Sequence, residues 1–463
     1  MKTTLKTLIL FVLGACGTIF TARAQSTDDS LFVRRIYDEA LVRGHAYENL
    51  RSLCKDVGAR LTGSAEAEMA VYWGERLLNT YGFDSVYLQP IEVPHWERGT
   101  KEACWVIDEE GQLHPMRLTA LGGSIATGGL LTGDLIYAED MDALKAMDRS
   151  EVEGKVVFVN QGFDQSLLNT FQGYGGCWSM RGYGAIEASK LGAKAILIRS
   201  LASHEDPYPH TGFMYYNDSI ERIPAAAIST QDAEWVKSTI AQQDLSVKLE
   251  MDCRFYGNVP SFNVIGEMHG KKKNEVITFG GHLDSWDMGE GAHDDGAGIA
   301  HSIESLRILN ELGYEPEHTL RVVLFMNEEN GNMGGKTYAK WVSEELGEVH
   351  VAALESDAGG GLPYGFGIVG DKKQVKFVRQ FSELFYDFGI YVLDPGYGGV
   401  DIGPLRDYYP EMLQLGLCPN SQEYFKYHHS DNDVFENVDK RELELGCAAF
   451  CSMIYLVDKY YRR

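Results

Sequence analysis

The chain has 463 residues, 44% hydrophobic, 11% aromatic and 24% charged. That balance supports a large core in two or three domains and excludes a disordered or fibrous chain. Asp and Glu number 67 against 42 Lys and Arg, a net charge of −25, which makes nucleic acid and anionic lipid poor partners.

The N-terminus has the pattern of an export signal. Lys2 and Lys6 form a basic start, Leu8 to Phe20 an apolar stretch, and Ala22-Arg-Ala24 a small-residue cleavage site, so residues 1–24 are assigned to a signal peptide. The apolar run is too short to span a bilayer, and no later segment is long and apolar enough. The mature chain is expected to be exported to the periplasm, the cell surface or the medium. An alternative is lipoprotein anchoring at Cys16 in Leu13-Gly-Ala-Cys16, a pattern that the glycine before Ala15 fits imperfectly. Seven cysteines follow residue 24, an odd number that prevents complete intramolecular pairing, and none has the spacing of a structural zinc site.

Residues 29–56 and 64–81 have helical periodicity, with Asp28 or Asp29 placed to cap the first helix and Ser64 the second. Ser85 to Val93 reads as a strand, and Trp96 to Glu102 as a polar loop. From about 112 to 257 a compact unit of short strands follows, at Asp134–Ala138, Gly154–Val159, Ala193–Arg199 and Ile223–Ser229, with helices at 185–191 and 231–242. It holds no candidate metal cluster, and His204, His210 and the aromatics of Tyr208–Tyr216 read as a loop that is either surface, the default, or substrate-facing. Beyond 259, strands at Asn263–Gly266, Val276–Phe279, Leu320–Met326, His350–Leu354 and Met412–Leu415 alternate with helices near 296–312, 334–346, 374–388 and 440–461. This alternation predicts an α/β fold, a mostly parallel mixed sheet flanked by helices, with ligands bound beyond the carboxyl ends of the strands.

Clusters of His, Asp and Glu fall at that rim. They are His282-Leu-Asp284, Asp294-Asp295-Gly296, Glu328-Glu329, Glu355-Ser-Asp357 and His428-His429-Ser-Asp-Asn-Asp433. Two acids at a strand end are costly unless a metal or a reaction uses them. His282, Asp294, Glu329, Asp357 and His429 supply the five protein ligands that a two-metal site needs. Glu328, beside a ligand, is suited to take a proton from water. His282 and Asp284 share a face of an extended segment, so the Asp284 carboxylate is expected to accept the second ring N–H of His282. His293 and His428 read as neighbours rather than ligands.

In Gly281-His-Leu-Asp-Ser-Trp-Asp287, Asp294-Asp-Gly296, Asn327-Glu-Glu329, Glu355-Ser-Asp-Ala-Gly359 and His428-His-Ser430, the sequence resembles the M28 family of di-zinc exopeptidases, and within it the carboxypeptidase Q branch. The resemblance extends over nearly the whole mature chain. It implies two zinc ions per chain, with His282 and Asp357 on one, Glu329 and His429 on the other, Asp294 bridging and Glu328 as general base. It further implies a protease-associated-like domain at 112–257 inserted into a catalytic domain made of 25–111 and 258–463, a cis peptide after Asp294, and a homodimer. The last block departs from the family pattern, since Val434 follows Asp433 where a threonine is common. Gly396 to Asp401 aligns with a family loop near the substrate, so Asp401 is a candidate contact to a substrate terminus or an ordinary turn residue. Tyr427 is a candidate oxyanion donor or a packing residue.

The expected activity is that of an exported di-zinc exopeptidase cleaving dipeptides or short peptides through metal-activated water, with Glu328 as base. The alternative is a broader aminopeptidase that releases N-terminal residues from longer peptides. A metal-binding module without catalysis fits less well, because the set of acids includes Glu328.

Overall fold

A computed structural model describes residues 27–462. The signal-peptide and Cys16 assignments lie outside the described residues. Helix α1 spans 27–43, α2 is Ala46–Ser52 and α3 is Ala65–Thr80, the last capped by the Ser64 hydroxyl as its sequence predicts. The helix expected over 29–56 is broken at Gly44-His45, where buried Glu304 accepts the His45 N–H at 3.0 Å. Asp29 is no cap. It lies within α1, and its carboxylate takes hydrogen bonds from Tyr455, Lys459 and Tyr460 near the C-terminus.

Strand β1 (Ser85–Glu97) pairs antiparallel with β10 (Arg254–Met268), so the chain leaves and rejoins one sheet through a single ribbon. Between them come β2 (Glu102–Ile107), β3 (Leu113–Met116), β4 (Leu118–Ala120), β5 (Leu131–Ala138), β6 (Val156–Val159), helix α4 (Thr170–Lys190), β7 (Ala195–Arg199), β8 (Ala225–Ile228) and β9 (Ser246–Met251). These strands form a sheet of their own, in the order β3-β2-β9-β5-β6-β7-β8-β4. It begins at Glu102, ahead of the expected residue 112, because β2 pairs with distant β9. Helix α4 is far longer than the helix predicted at 185–191; five glycines within it dilute the apolar pattern.

After β10 follow β11 (Lys272–His282), helix α5 (Ala297–Glu311), β12 (His318–Phe325), β13 (Val349–Glu355), β14 (Pro363–Val369), β15 (Val392–Pro395), β16 (Leu413–Pro419) and helix α6 (Lys440–Tyr460). The first sheet runs β1-β10-β12-β11-β13-β16-β14-β15 and is mixed, with β12, β11, β13 and β16 parallel at its centre. Strand β12 is buried along its length, as its continuous apolar run requires. Val322 and Leu324 join the core beneath α5 and α6, whereas Val323 and Phe325 pack with Tyr338 on the other face. Strands β14 and β15 escape the sequence reading because Gly365 and Gly367 interrupt the first, with backbone from Val392 and Tyr397 pressed against them.

The helix after Asp294 is tied to the N-terminal segment by charge. Arg307 of α5 donates to Glu304 at 2.9 and 2.7 Å and to Glu39 of α1 at 3.2 Å, and all three side chains are buried. Removing the cation leaves buried Glu304 with the His45 N–H but no charged partner, while Glu39 keeps Arg43. Arg307→Met is expected to cost about 3–5 kcal/mol of unfolding free energy, read from urea denaturation at neutral pH.

Candidate metal centre

All five predicted ligands meet at the carboxyl rim of the first sheet. His282 ends β11, Glu329 lies in the turn after β12, Asp357 follows β13, Asp294 precedes α5, and His429 lies between β16 and α6. Asp294 is central. Its Oδ1 is 3.3 Å from His282 Nε2, and its Oδ2 is 3.2 Å from His429 Nε2. His282 Nε2 is also 3.6 Å from Asp357 Oδ1, and His429 Nε2 is 3.1 Å from Glu329 Oε2. The two carboxylate oxygens of Asp294 therefore face two separate sets of donors, Oδ1 the set with His282 and Asp357, Oδ2 the set with His429, Glu329 and, at 3.6 Å, His428.

The donors fit metal ions. His282 Nε2 and Asp294 Oδ2 are buried without a hydrogen-bond partner, an expensive state unless a cation takes them. Both histidines have their other nitrogen committed to a carbonyl. His282 Nδ1 lies 2.9 Å from the Asp284 backbone oxygen, and His429 Nδ1 lies 3.3 Å from that of Thr211. Donation from Nδ1 leaves each Nε2 lone pair free for a metal.

The position of Asp284 is predicted correctly but its role is not. Its carboxylate oxygen lies 3.8 Å from His282 Nδ1, beyond hydrogen-bond reach. Instead the carboxylate accepts the backbone N–H groups of Asn327, Glu328 and Glu329, at 2.7, 3.1 and 3.3 Å. It holds the turn that carries both glutamates. Asp433 likewise accepts the N–H groups of His293 and Asp294, at 2.7 and 3.1 Å, and Asp295 those of His282 and Gly298, both at 3.0 Å. The peptide between Asp294 and Asp295 is cis, in line with the family pattern.

Glu328 and Glu329 diverge. Glu329 turns inward, its Oε1 accepting the Trp286 N–H at 3.1 Å while Oε2 faces His429. Both glutamates line a cavity of about 1100 Å³ with Asp294, Asp357, His428 and His429, but Glu328 forms an ion pair with neither histidine. Burial pushes the Glu328 carboxyl well above the usual range; His282 opposes this, and the charges of Asp357, Glu329 and Asp401 add to it. Burial works against ionisation of Asp294 as well, but His282 and His429 outweigh it and hold that group well below the usual range.

Other expectations change. Tyr427 does not line the cavity; its ring stacks on His293 at 5.0 Å. Both ring nitrogens of His293 are engaged, Nδ1 with the Gly360 N–H and Nε2 with the Asn437 carbonyl, so it is no ligand. Asp401 is 0% exposed and stands behind the wall made by Gly396 to Val400, which the Glu355 carboxylate holds through the N–H groups of Val400 and Ile402. His428 stacks on His429 at 3.5 Å and points Nε2 to Asp294 at 3.6 Å, so it stands nearer the centre than the sequence suggested. In the loop 204–216, read as surface or substrate-facing, His210 and Thr211 are buried and Phe213 and Tyr215 line the cavity. His210 Nδ1 lies 2.6 Å from the His428 carbonyl, and the Thr211 N–H donates to the His429 carbonyl at 2.9 Å. Helix α4 adds Tyr174, Trp178 and Arg181 to the cavity wall. No local sequence signal marks these residues, since the two sheets meet only in the folded chain.

The profile of Peptidase family M28 matches residues 263–451, which contain all five candidate ligands. Carboxypeptidase Q of Bos taurus is 33% identical over 426 residues, covering 91% of this chain and 86% of that protein. Its Homo sapiens counterpart is 34% identical over 432 residues, again 91% and 86%. The chain belongs to peptidase family M28. It is a metallo-exopeptidase. Among solved structures, the peptidase M28 precursor of Shewanella amazonensis SB2B superposes with a TM-score of 0.89 at 31% identity, over 95% of this chain and 98% of that one. A zinc aminopeptidase of Bacillus subtilis shares the fold, with a TM-score of 0.65 at 22% identity over 90% and 96%. No helix among the described residues is long and apolar enough to cross a membrane.

Asp284→Ala releases the glutamate turn without removing a donor atom from the centre. Metal affinity, read by competition with a chelator, is expected to fall on the order of 10- to 100-fold.

Proposed function

We propose that this M28 peptidase is an exported di-zinc enzyme that hydrolyses unblocked dipeptides and short peptides. The observation that carries the two-metal reading is Asp294, whose oxygens lie 3.3 and 3.2 Å from different histidines. On this reading His282 and Asp357 hold one zinc, Glu329 and His429 the other, and Asp294 bridges. The zinc aminopeptidase likeness and the His and carboxylate donor set support the choice of metal.

Bound zinc supplies Lewis acidity toward a peptide carbonyl and toward water. Glu328 takes the proton of the attacking water at its carboxylate and returns it to the leaving amine. Its buried, acid-lined setting raises its affinity for the proton, which suits a general base. Tyr424 replaces Tyr427 as the candidate oxyanion donor, because it lines the cavity; burial, with the charges of Asp294 and Asp357 adding to it, keeps its hydroxyl protonated. The segment between β1 and β10 acts as an inserted protease-associated-like domain that closes the cavity. Export rests on the N-terminal signal pattern, and a homodimer on the likeness to the carboxypeptidase Q branch.

A second reading, a broader aminopeptidase, draws support from the cavity itself, which at about 1100 Å³ exceeds what a dipeptide fills. A panel of unblocked dipeptides, N-blocked dipeptides, longer peptides and amino-acid amides separates the two. Zinc-dependent cleavage confined to unblocked dipeptides is the expected result; removal of N-terminal residues from longer peptides transfers the assignment to the aminopeptidase. Chelation is expected to abolish turnover of every substrate.

Glu328→Gln is expected to keep both metals and lose about 10²- to 10⁴-fold in kcat. Metal loss in that variant, with Glu329→Gln retaining both ions, would reverse the two assignments. His282→Ala and His429→Ala are each expected to lower zinc content from two ions toward one, measured by elemental analysis of the purified chain.

A further inference from the structure

The cavity wall contains a buried cation that nothing among the described residues neutralises. Arg181, on α4, is 5% exposed and lines the cavity beside His429. Its Nη1 points to the Thr211 carbonyl at 3.4 Å, its Nη2 donates to the Tyr174 hydroxyl, and its Nε is buried without a partner. The guanidinium also rests on the Tyr174 ring, 5.2 Å from the centroid. His429 Nδ1 lies 3.3 Å away, but with its proton directed at Thr211 it offers a guanidinium no lone pair.

Among the described residues, no atom of the other buried arginines is left without a partner, although Arg60, like Arg181, meets no acid. Arg307 meets Glu304 and Glu39, and Arg321 meets Glu267 and Glu348. Arg60 spends its donors on the carbonyls of Leu283, Gly58, Glu290 and Gly291. Lys336, a second cation on the cavity wall, is exposed and stays hydrated. A buried guanidinium facing a cavity without an anion is costly, and a ligand carboxylate removes that cost. Guanidinium geometry suits a carboxylate through paired N–H donors.

We propose that Arg181 binds the free α-carboxylate of the peptide, an assignment that rests on the peptidase reading above. Arg181 adjoins the metal ligand His429, so the carboxylate it holds lies about one residue from a carbonyl at the metal centre. That distance selects dipeptides, with the C-terminal residue on the α4 side. Trp178, Phe213 and Tyr215 line the same wall and favour an apolar or aromatic side chain on that residue. Arg181 thus decides between the two readings that the cavity volume alone leaves open.

The test uses the zinc-loaded Glu328→Gln chain, with L-Ala-L-Phe and its C-terminal amide as probes in calorimetric titration. The free acid is expected to bind on the order of 10- to 100-fold more tightly than the amide, the range of a charge-assisted pair. Adding Arg181→Gln is expected to erase that ratio, and Arg181→Lys to retain part of it, with zinc content and melting temperature unchanged in both. Equal binding of acid and amide before the substitution overturns the assignment. So does a loss of zinc in Arg181→Gln with equal weakening of both probes, which would make Arg181 a support for His429. The two proposals fail separately in the unsubstituted zinc enzyme. Cleavage of neither probe removes the peptidase reading and this one with it, whereas equal cleavage of both removes only the carboxylate assignment.

Discussion

Gathering many carboxylates on one strand rim is stable only if each is met by a cation or by N–H donors, and the rest of the structure follows from that requirement. Asp284, Asp433 and Glu355 each accept two or more backbone N–H groups from a segment distant in the chain, and Asp295 ties the end of β11 to the start of α5. These acids bind no metal in the proposed arrangement. They fix the turns that carry the ligands, so that Asp294, Glu329 and Asp357 converge with both histidines. Asp294 and Asp357 turn their oxygens to His282 and His429, where cations belong, whereas among the described residues both oxygens of buried Asp401 meet neither a donor nor a histidine.

The second sheet takes part in that order. Thr211 receives the ring proton of His429 and donates to its carbonyl, while His210 meets the carbonyl of His428. His429 has a left-handed backbone, φ 62, which non-glycine residues rarely adopt. The contacts from the second sheet hold it there, consistent with strain being concentrated where function needs a fixed geometry. The same sheet brings α4, with Arg181 and the aromatic wall, over the metal ligands. One unit therefore supports the outermost ligand and shapes the space in which a peptide lies.

Asp284 illustrates how far a sequence argument reaches. Its spacing from His282 correctly put it at the centre, because both lie at the end of β11. Its partner was not legible, since the choice between a ring nitrogen and three N–H groups of the β12 turn depends on packing between strands distant in sequence. The same holds for Tyr427 and Tyr424. Both stand near His429 in the chain, but only Tyr424 lines the cavity, whereas the ring of Tyr427 stacks on His293. Arg181 had no local mark at all.

The α/β alternation, the cluster residues His282, Asp294, Glu329, Asp357 and His429, and the family to which the chain belongs were legible in the sequence. They were so because strand and helix periods are local, and because chemically costly residues stand out against apolar runs. Only the tertiary structure decided the hydrogen-bond partner of each acid, the burial of Asp401, the clamp from Thr211 and the presence of Arg181 at the site. Those features arise from contacts between segments as distant as Arg181 and His429, which side-chain period and spacing along the chain do not encode.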